Sequence, residues 1–341
     1  MVRLWILVAF GLLAACDESP ATLTFAGETM GTTYSVVAVD PSGELDADTV
    51  QTAIDAALAD VNGKMSNWDP NSEVSQFNAS ESTEPIEISA EFLEVMEVAN
   101  TVHTESEGQF DVTLGPLIEL WGFGTRNSES PVPPDGAIAD ALDQVGQLKL
   151  LDLTEAPATL AKSRADATVF LAAIAKGYGA DRIGGALAEF GIADYLVEIG
   201  GDLITSGLNP EGEPWRIGIE RPDSSSQTVE ETIAFSGLGM ATSGDYRNYF
   251  EEDGVRYSHI IDAETGRPIT HLTASVTVLA PTAMEADAWA TAMLALGKDR
   301  ALPISEKLDL PVFFIERDPS LGDNQFATTA NAAFEALKAA E

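Results

Sequence analysis

The sequence predicts an α/β protein of the mixed α+β kind, folded as a single domain. Segments with apolar residues at helical spacing alternate with short runs of β-branched and apolar residues, which is the pattern of packed helices and strands. Of the 341 residues, 45% are hydrophobic, enough to fill a sizeable core. The amino-acid composition does not change along the chain in a way that would indicate two independent domains. The main body is therefore expected over residues 23–341.

The first element is a secretory signal peptide over residues 1–15. A basic Arg3 precedes an apolar run, and the run ends in the small residues Ala14 and Ala15. The run is too short to span a bilayer as a permanent helix. We therefore expect the mature protein to lack it.

Cys16 follows directly, and the segment LAAC that it ends resembles the bacterial lipobox. The chain has no other cysteine, so lipidation of Cys16 would leave neither a disulfide nor thiol catalysis available. The alternative is a buried structural cysteine. With lipid on Cys16, residues 16–22 form a lipidated tether. Asp17 resembles the residue that retains such lipoproteins, which predicts an anchor in the inner (cytoplasmic) membrane with the protein facing the periplasm.

Helices and strands of the main body are predicted from residue spacing. Three helices are expected over about 50–61, 89–102 and 172–190, the last ended by Gly191. Five strands are expected at 33–39, 195–199, 216–220, 275–280 and 311–315. The polar segments 128–136 and 222–232 are expected to be loops.

The charge of the chain excludes one class of partner. Asp and Glu number 55 against 18 Lys and Arg, which gives a formal net charge of −37. Such a surface has no positive patch for phosphate backbones, so nucleic acid is not expected as a partner.

Common cofactor and metal motifs are missing from the sequence. We find no GxGxxG after a strand, no GxxxxGK[ST], no HExxH and no GxSxG. With one cysteine and three histidines, His103, His259 and His271, a Cys/His zinc site is not expected. Any metal would take oxygen ligands, which favours Mg²⁺ or Ca²⁺. His103 and His271 are interpreted as surface or helix-end residues.

One candidate metal site follows the strand at 275–280. Thr282 and Glu285 have the spacing of a capping box, which predicts the start of a helix. Asp287 and Thr291 are four residues apart, so they share one face of that helix. A carboxylate and a hydroxyl side by side can hold a hard cation. The alternative is an ordinary helix with an Asp at its solvated start.

Short segments spread over nearly the whole main body resemble the ApbE-like family, the FAD:protein FMN transferases. They are MGTTY (30–34), MSNWDP (65–70), GQFDVT (108–113), LWGFG (120–124), AKGY (175–178), VEIGGD (197–202), ATSGDYRNY (241–249), SHIID (258–262) and TGRP (265–268). The resemblance implies a single catalytic domain of two lobes with a flavin cleft between them. It also implies cleavage of FAD with Mg²⁺, release of AMP, and transfer of FMN to a threonine hydroxyl of a target protein.

The resemblance assigns roles to individual residues. Asp287, Thr291 and the backbone carbonyl of Ala173 match the metal ligands. The positions that match FAD contacts are Met30, Trp68, Gln109, Phe110, Asp111, Lys176 and Ile261. For Trp68 and Phe110, packing in the core is the alternative. Lys176, His259, Arg247 and Arg256 are the side chains available to attract the phosphates.

The roles of His259 and Phe170 each have two alternatives. His259 is expected to face the phosphates, either as a proton donor to the leaving AMP oxygen or as a base for the incoming hydroxyl. Phe170 stands where the family usually has an Asp, so a hydrogen-bond acceptor for FAD is replaced or lost. Ala290 stands where some members have a further Asp beside the metal.

Two other activities fit the same residues. One is an FAD pyrophosphatase that gives FMN and AMP, and the other is a non-catalytic flavin-binding lipoprotein. By the family resemblance, the acceptor of a transferase would be a subunit of a membrane electron-transfer complex.

Overall fold

The computed structural model describes residues 21–124, 132–223, 228–320 and 325–339. The signal peptide, Cys16 and Asp17 lie outside these residues, so the predictions made for them are not addressed by the fold. The first strand begins at Ala21. The last two residues of the predicted tether, Ala21 and Thr22, therefore belong to the sheet.

The described residues form ten helices. They are α1 (Ala47–Met65), α2 (Glu73–Ala79), α3 (Ala90–Glu105), α4 (Gly115–Leu120), α5 (Asp135–Leu142), α6 (Gln147–Leu150), α7 (Ala175–Glu189), α8 (Ala283–Leu296), α9 (Lys298–Lys307) and α10 (Ala332–Ala339). Within the described ranges, none of these helices has the length and apolar content that crossing a membrane requires.

The strands are β1 (Ala21–Thr29), β2 (Thr32–Asp40), β3 (Ile86–Glu87), β4 (Leu151–Glu155), β5 (Ala158–Lys162), β6 (Tyr195–Ile199), β7 (Asp202–Ser206), β8 (Trp215–Glu220), β9 (Val229–Phe235), β10 (Gly239–Gly244), β11 (Tyr249–Glu252), β12 (Val255–Ser258), β13 (Ile261–Asp262), β14 (Arg267–Pro268), β15 (Thr273–Ala280), β16 (Val312–Arg317) and β17 (Phe326–Ala330).

One antiparallel sheet joins both ends of the main body. Its eight strands have the order β1-β2-β6-β7-β10-β15-β16-β17. Strands from the beginning and the end of the chain thus share one sheet, which agrees with the prediction of a single mixed α+β domain. Smaller sheets are formed by β3-β5-β4 and by the ribbons β8-β9, β11-β12 and β13-β14.

Both faces of the large sheet are covered. Helix α8 packs on one face with α3 and α7 beside it, while the β8-β9 ribbon and α10 cover the other face. Strand β16 shows the alternation of side chains between the two faces. Phe314 belongs to the core around α8, whereas Phe313 and Ile315 belong to the core around α10. Helix α8 is therefore held at the centre of the molecule.

All three helices and all five strands predicted from spacing are present, with ends that shift by a few residues. The two loop predictions were partly wrong. Residues 135–136 begin α5, and residues 229–232 belong to β9, while 128–131 and 224–227 are outside the described residues. Pairing with β8 explains the second error, because an exposed ribbon accepts polar residues that a buried strand would not.

Candidate functional site

A cleft of about 590 Å³ opens along α8 and the start of α7. Nine of the eleven main-body residues predicted for metal, flavin or catalytic roles line it. They are Gln109, Phe110, Asp111, Ala173, Lys176, His259, Ile261, Asp287 and Thr291. These residues come from four separate parts of the chain, so tertiary folding is what brings them together.

Met30 and Trp68, the remaining two, line a smaller pocket of about 170 Å³. This pocket borders the cleft at Ala172 and Lys176, which line both spaces. Trp68 is 61% exposed, which rules out packing in the core for this residue. Phe110 is 2% exposed and belongs to the core even though it borders the cleft.

Helix α8 begins with its first three N–H groups bonded. Thr282 Oγ1 accepts the N–H of Glu285 at 3.1 Å, as the spacing predicted. The N–H groups of Ala283 and Met284 donate to the two carboxylate oxygens of Asp181, at 2.9 and 2.8 Å. The Glu285 side chain does not complete the capping box, since its Oε2 is buried without a hydrogen-bond partner. Asp181, which the sequence analysis missed, instead accepts the N–H groups of the first two residues of the helix.

Asp181 is partly buried on α7 against the start of α8. Burial raises the pKa of its carboxyl group to about 7, although the N–H groups of Met284 and Ala283 act in the opposite direction. A carboxylate at this position also interacts favourably with the positive end of the α8 dipole. Asp181 therefore fixes the helix that carries Asp287 and Thr291.

Two glycines allow α7 and β10 to approach the start of α8 closely. A Cβ at Gly177 would lie 2.1 Å from the carbonyl oxygen of Ala283, and a Cβ at Gly239 would lie 2.3 Å from the Ala283 nitrogen. Any side chain at either position would push α7 or β10 away from α8. The separation of α7 and α8, which sets the distance between the predicted metal ligands, thus depends on these glycines.

The three predicted metal ligands all line the cleft beside this contact. Asp287 is 3% exposed, and its Oδ2 accepts the N–H of Gly177 at 3.1 Å. Gly177 lies in the first turn of α7, where N–H groups have no acceptor within the helix, and Asp287 supplies one. Ala173 precedes this helix and lines the cleft, so its carbonyl is not used by the regular helical hydrogen bonds. Thr291 Oγ1, one turn along α8, lies 3.2 Å from Ser243 Oγ.

Carboxylate, carbonyl and hydroxyl oxygens of this kind fit a hard cation such as Mg²⁺. The set includes a single acidic side chain, Asp287, so it differs from a cluster of acids or histidines. Over the described ranges, no group of three or more His, Cys, Asp or Glu is placed to hold a metal ion.

Lys176 lies between two carboxylates at the cleft. Its ammonium group forms an ion pair with Asp202, and it is 3.6 Å from Asp287 Oδ1. Burial acts to lower the pKa of Lys176, but the two carboxylates raise it well above its ordinary value. Burial, together with the Asp287 charge, raises the pKa of Asp202 to about 7, against the opposing effect of Lys176. Lys176 is therefore a permanent positive charge beside the predicted metal ligands.

His259 follows the β11-β12 hairpin and lines the cleft. Its Nδ1 is 3.0 Å from the carbonyl oxygen of Asn248, and the ring of Phe123 lies edge-on to the imidazole at 6.3 Å between ring centres. A carbonyl only accepts hydrogen bonds, so Nδ1 carries the proton and Nε2 keeps its lone pair. Burial lowers the pKa of His259 below its ordinary 6.5, which favours this neutral form.

The turn at 109–111 is held by its own side chains. The two oxygens of Asp111 accept the N–H groups of Thr113 at 2.6 Å and Gln147 at 2.9 Å. His103, in the last turn of α3, has its Nδ1 2.7 Å from the Phe110 carbonyl. The Asp111 carboxylate thus shapes the cleft wall by bonding to neighbouring backbone.

The other predicted cations differ in position. Arg247 lines the cleft and forms an ion pair with Glu220. Arg256 stacks over the ring of Tyr249 at 3.6 Å and is not among the residues that line the cleft. Its inclusion with the phosphate-attracting side chains was therefore wrong, because the hairpin directs it to Tyr249.

His271 packs near Gly297 at the end of α8, as a helix-end residue.

Comparison with known proteins identifies the family. The model of the ApbE family matches residues 30–314. This chain belongs to the ApbE family. The ApbE resemblance read from the short motifs is thereby confirmed.

Relatives of this ApbE chain are similar over nearly their full length. A Haemophilus influenzae protein named FAD:protein FMN transferase is 43% identical over 338 residues, which cover 97% of this chain and 96% of the relative. A Vibrio cholerae protein of the same name is 41% identical, with 98% of both chains covered.

Solved ApbE structures have the same fold. The flavin transferase ApbE from Vibrio cholerae has a TM-score of 0.85 at 39% identity, covering 93% of this chain and 99% of that one. The apo flavinyl transferase ApbE from Pseudomonas stutzeri has a TM-score of 0.85 at 34% identity, covering 94% and 98%. The predicted fold class is therefore confirmed.

Sequence reasoning missed several residues that shape the ApbE site. Asp202 lies in the quoted segment at 197–202, but its partner Lys176 is 26 residues away. Asn67 lies in the segment at 65–70, and its amide bonds to the backbone more than 100 residues later. The spacing of the sequence carried no signal for either contact.

Proposed function

We propose that this protein transfers FMN from FAD to a threonine hydroxyl of a partner protein, with Mg²⁺ at the pyrophosphate and with release of AMP. Relatives named FAD:protein FMN transferase, similar over nearly the whole chain, support flavin transfer. The observation that carries the chemistry is that Asp287, held against the first turn of α7, lines one cleft together with Thr291, Ala173 and Lys176.

Asp287, Thr291 and the Ala173 carbonyl are the groups that would hold Mg²⁺. When bound, Mg²⁺ supplies charge neutralisation and alignment of the pyrophosphate. The net charge of −37 repels a dinucleotide at long range, so local cations must provide the attraction. Lys176 supplies such a charge, and its ion pair with Asp202 keeps the ammonium group in place.

His259 is assigned the role of general base. Its Nδ1–H donates to Asn248, so Nε2 is the atom that can accept the proton of the threonine hydroxyl. The hydroxyl oxygen then forms a bond to the FMN phosphorus, and the bond from that phosphorus to the bridging oxygen breaks. AMP leaves with that oxygen. Of the two roles left open by the sequence, the tautomer and the lowered pKa favour the base.

The partner and the location extend the same proposal. The lipobox-like segment and Asp17 support an anchor on Cys16 in the inner membrane, facing the periplasm. A protein tethered there can reach exported parts of membrane subunits. We therefore assign the acceptor threonine to a subunit of a membrane electron-transfer complex.

A single assay separates this function from its alternatives. The mature protein is incubated with FAD, Mg²⁺ and an exported domain that has an acceptor threonine, and both the protein and the small molecules are weighed by mass spectrometry. A mass gain on the acceptor equal to FMN less one water, with AMP released, supports transfer. The acceptor with Thr→Val at the modified position is the matched control.

Two results would overturn the proposal. Free FMN and AMP with an unchanged acceptor would indicate a pyrophosphatase that uses water. Intact FAD that remains bound would indicate a flavin-binding lipoprotein.

A further inference from the structure

The backbone around Phe170 is fixed by two asparagines from elsewhere in the chain. Asn67 donates from Nδ2 to the Val169 carbonyl at 2.7 Å and accepts the N–H of Leu171 at 2.9 Å. Its amide therefore bonds on both sides of Phe170, as a neighbouring strand would. Asn78 donates to the Val169 carbonyl at 2.8 Å and accepts the Val169 N–H at 2.7 Å.

The N–H of Phe170 itself donates to the Val112 carbonyl at 2.7 Å. Val112 lines the cleft next to the 109–111 turn, so Phe170 is tied to the cleft wall from this side as well. With these bonds made, the backbone has little freedom to turn the Phe170 side chain away from the cleft, which that side chain lines.

Trp68, the residue next to Asn67, completes an aromatic pair. The rings of Trp68 and Phe170 are 5.8 Å apart between centres and inclined at 62°, an edge-to-face arrangement. Phe170 lines the large cleft and Trp68 lines the small pocket. Lys176 borders both spaces. Two rings thus stand beside the charge that is assigned to the phosphates.

The exposed surface of Trp68 indicates what the aromatic pair can bind. A tryptophan that is 61% exposed leaves a large apolar surface in water beside a concave site. Covering that surface with a flat ring is favourable, and such stacking does not require a hydrogen-bond acceptor. FAD has two flat ring systems, one at each side of its pyrophosphate.

We propose that Phe170 is a specificity-determining residue which, positioned by Asn67 against Trp68, gives this chain an apolar wall that binds one ring system of FAD. The inference depends on the proposed function for the identity of the dinucleotide. An aromatic wall takes the place of the hydrogen-bond acceptor that an Asp at this position would provide.

The first test measures FAD affinity without Mg²⁺, so that binding is separated from turnover. Phe170→Leu keeps an apolar side chain and removes the ring, and we expect FAD binding to weaken roughly fivefold to tenfold. Phe170→Tyr keeps the ring and should bind FAD within about twofold of the parent. Phe170→Asp should both weaken binding and lower the melting temperature, because a carboxylate would be placed in an apolar wall.

Two results would overturn the assignment of Phe170. Tighter FAD binding by Phe170→Asp at an unchanged melting temperature would mean a vacated polar site. Equal affinity of Phe170→Leu and the parent would mean that the ring makes no contact with FAD. If the parent itself bound no FAD, the proposed function would fail, which is a different outcome from failure of this inference.

The positioning role of Asn67 has a matched control in Asn78. Asn67→Asp and Asn78→Asp each remove an amide donor to the same carbonyl of Val169. A purely structural role predicts similar losses of melting temperature and of FAD affinity in the two variants. We expect Asn67→Asp to weaken FAD binding at least threefold more than Asn78→Asp, since Asn67 spans Phe170 and adjoins Trp68. Equal effects would overturn the role of Asn67.

Titrations of FMN and AMP identify the ring that is bound. A loss of affinity for FMN in Phe170→Leu means that the flavin packs on the pair, and a loss for AMP means that the adenine does. If both ligands bind the variant and the parent equally well, the aromatic wall is not a ring-binding element.

Discussion

The ammonium group of Lys176 is paired with the carboxylate of Asp202, which is almost completely buried. Asp287, the carboxylate predicted to bind the metal, lies on the other side of the same ammonium group. The two acids share one cation, so when both are ionised one negative charge remains uncompensated, and loss of Lys176 would leave two. Lys176 thus reduces the repulsion that an anionic substrate would meet in a very acidic protein.

Lys176→Met should lower both the stability of the protein and its affinity for FAD, and a second substitution separates the two effects. Loss of the cation leaves Asp202 buried without its partner, and we expect about 2 kcal/mol of lost stability, less than for a fully buried pair because Lys176 is partly exposed. Asp202→Asn in the same chain removes that unpaired charge and should restore most of the stability. FAD affinity should stay low in the double variant. Denaturant unfolding and FAD titration measure both effects, and normal FAD affinity in the double variant would exclude Lys176 from phosphate binding.

Asp287→Asn should abolish Mg²⁺-dependent cleavage of FAD, with a loss on the order of 100-fold or more. The fold should survive, because the helix start uses Thr282 and Asp181. The asparagine can still accept the N–H of Gly177. Glu285→Gln is the matched control, since Glu285 is on the same helix but does not line the cleft. Unchanged turnover of Asp287→Asn at limiting Mg²⁺ would remove this residue from the metal site.

The pH profile of transfer should have an acid limb with a midpoint below 6.5, the ordinary pKa of histidine. Burial lowers the pKa of His259, so the base is already neutral at pH 7 and becomes protonated only at lower pH. His259→Asn should lose most of the activity, and its residual rate should no longer show this limb. A variant that kept the same acid limb would assign the titration to another group.

Asp181 should make the protein less stable as pH rises from about 4 to about 7. Burial raises the pKa of this carboxyl group from 3.8 to about 7, so the folded state binds more protons than the unfolded state in that window. The contribution is of the order of 4 kcal/mol across the window and is constant above it. Asp181→Asn should flatten the curve of unfolding free energy against pH relative to the parent. Asp48→Asn, at an exposed carboxylate, is the control, and parallel curves for the parent and Asp181→Asn would contradict the raised pKa.

Cys16→Ser should abolish lipidation of the protein. The sequence has no other cysteine that could take its place. Radiolabelled fatty acid should be incorporated into the parent and not into the variant, and the variant should remain attached only through an uncleaved signal or be released. Equal labelling of both proteins would contradict the lipobox interpretation.

The sequence by itself determined the local elements of this protein and the identity of its family. Helix α8 was predictable because its start is encoded within four residues, Thr282 to Glu285, and because Asp287 and Thr291 are on one face by helical spacing alone. Helices α1 and α3 were predictable because apolar side chains recur at helical spacing within one segment, and α3 also has a local cap at Ser89.

Tertiary structure decided how those elements form a site. Asp181 bonds to the start of α8 across 102 residues, Asn67 bonds to Val169 across the same separation, and Asp202 on β7 reaches Lys176 on α7. Asp287 likewise accepts the N–H of Gly177, 110 residues earlier in the chain. In each of these bonds, a polar group of one element is paired with a side chain from a distant element. No periodicity or spacing in the sequence connects the two residues of such a pair. The packing of α7 against α8, for which Gly177 leaves room, makes Asp181 a neighbour of the α8 start and Asp287 a neighbour of Gly177.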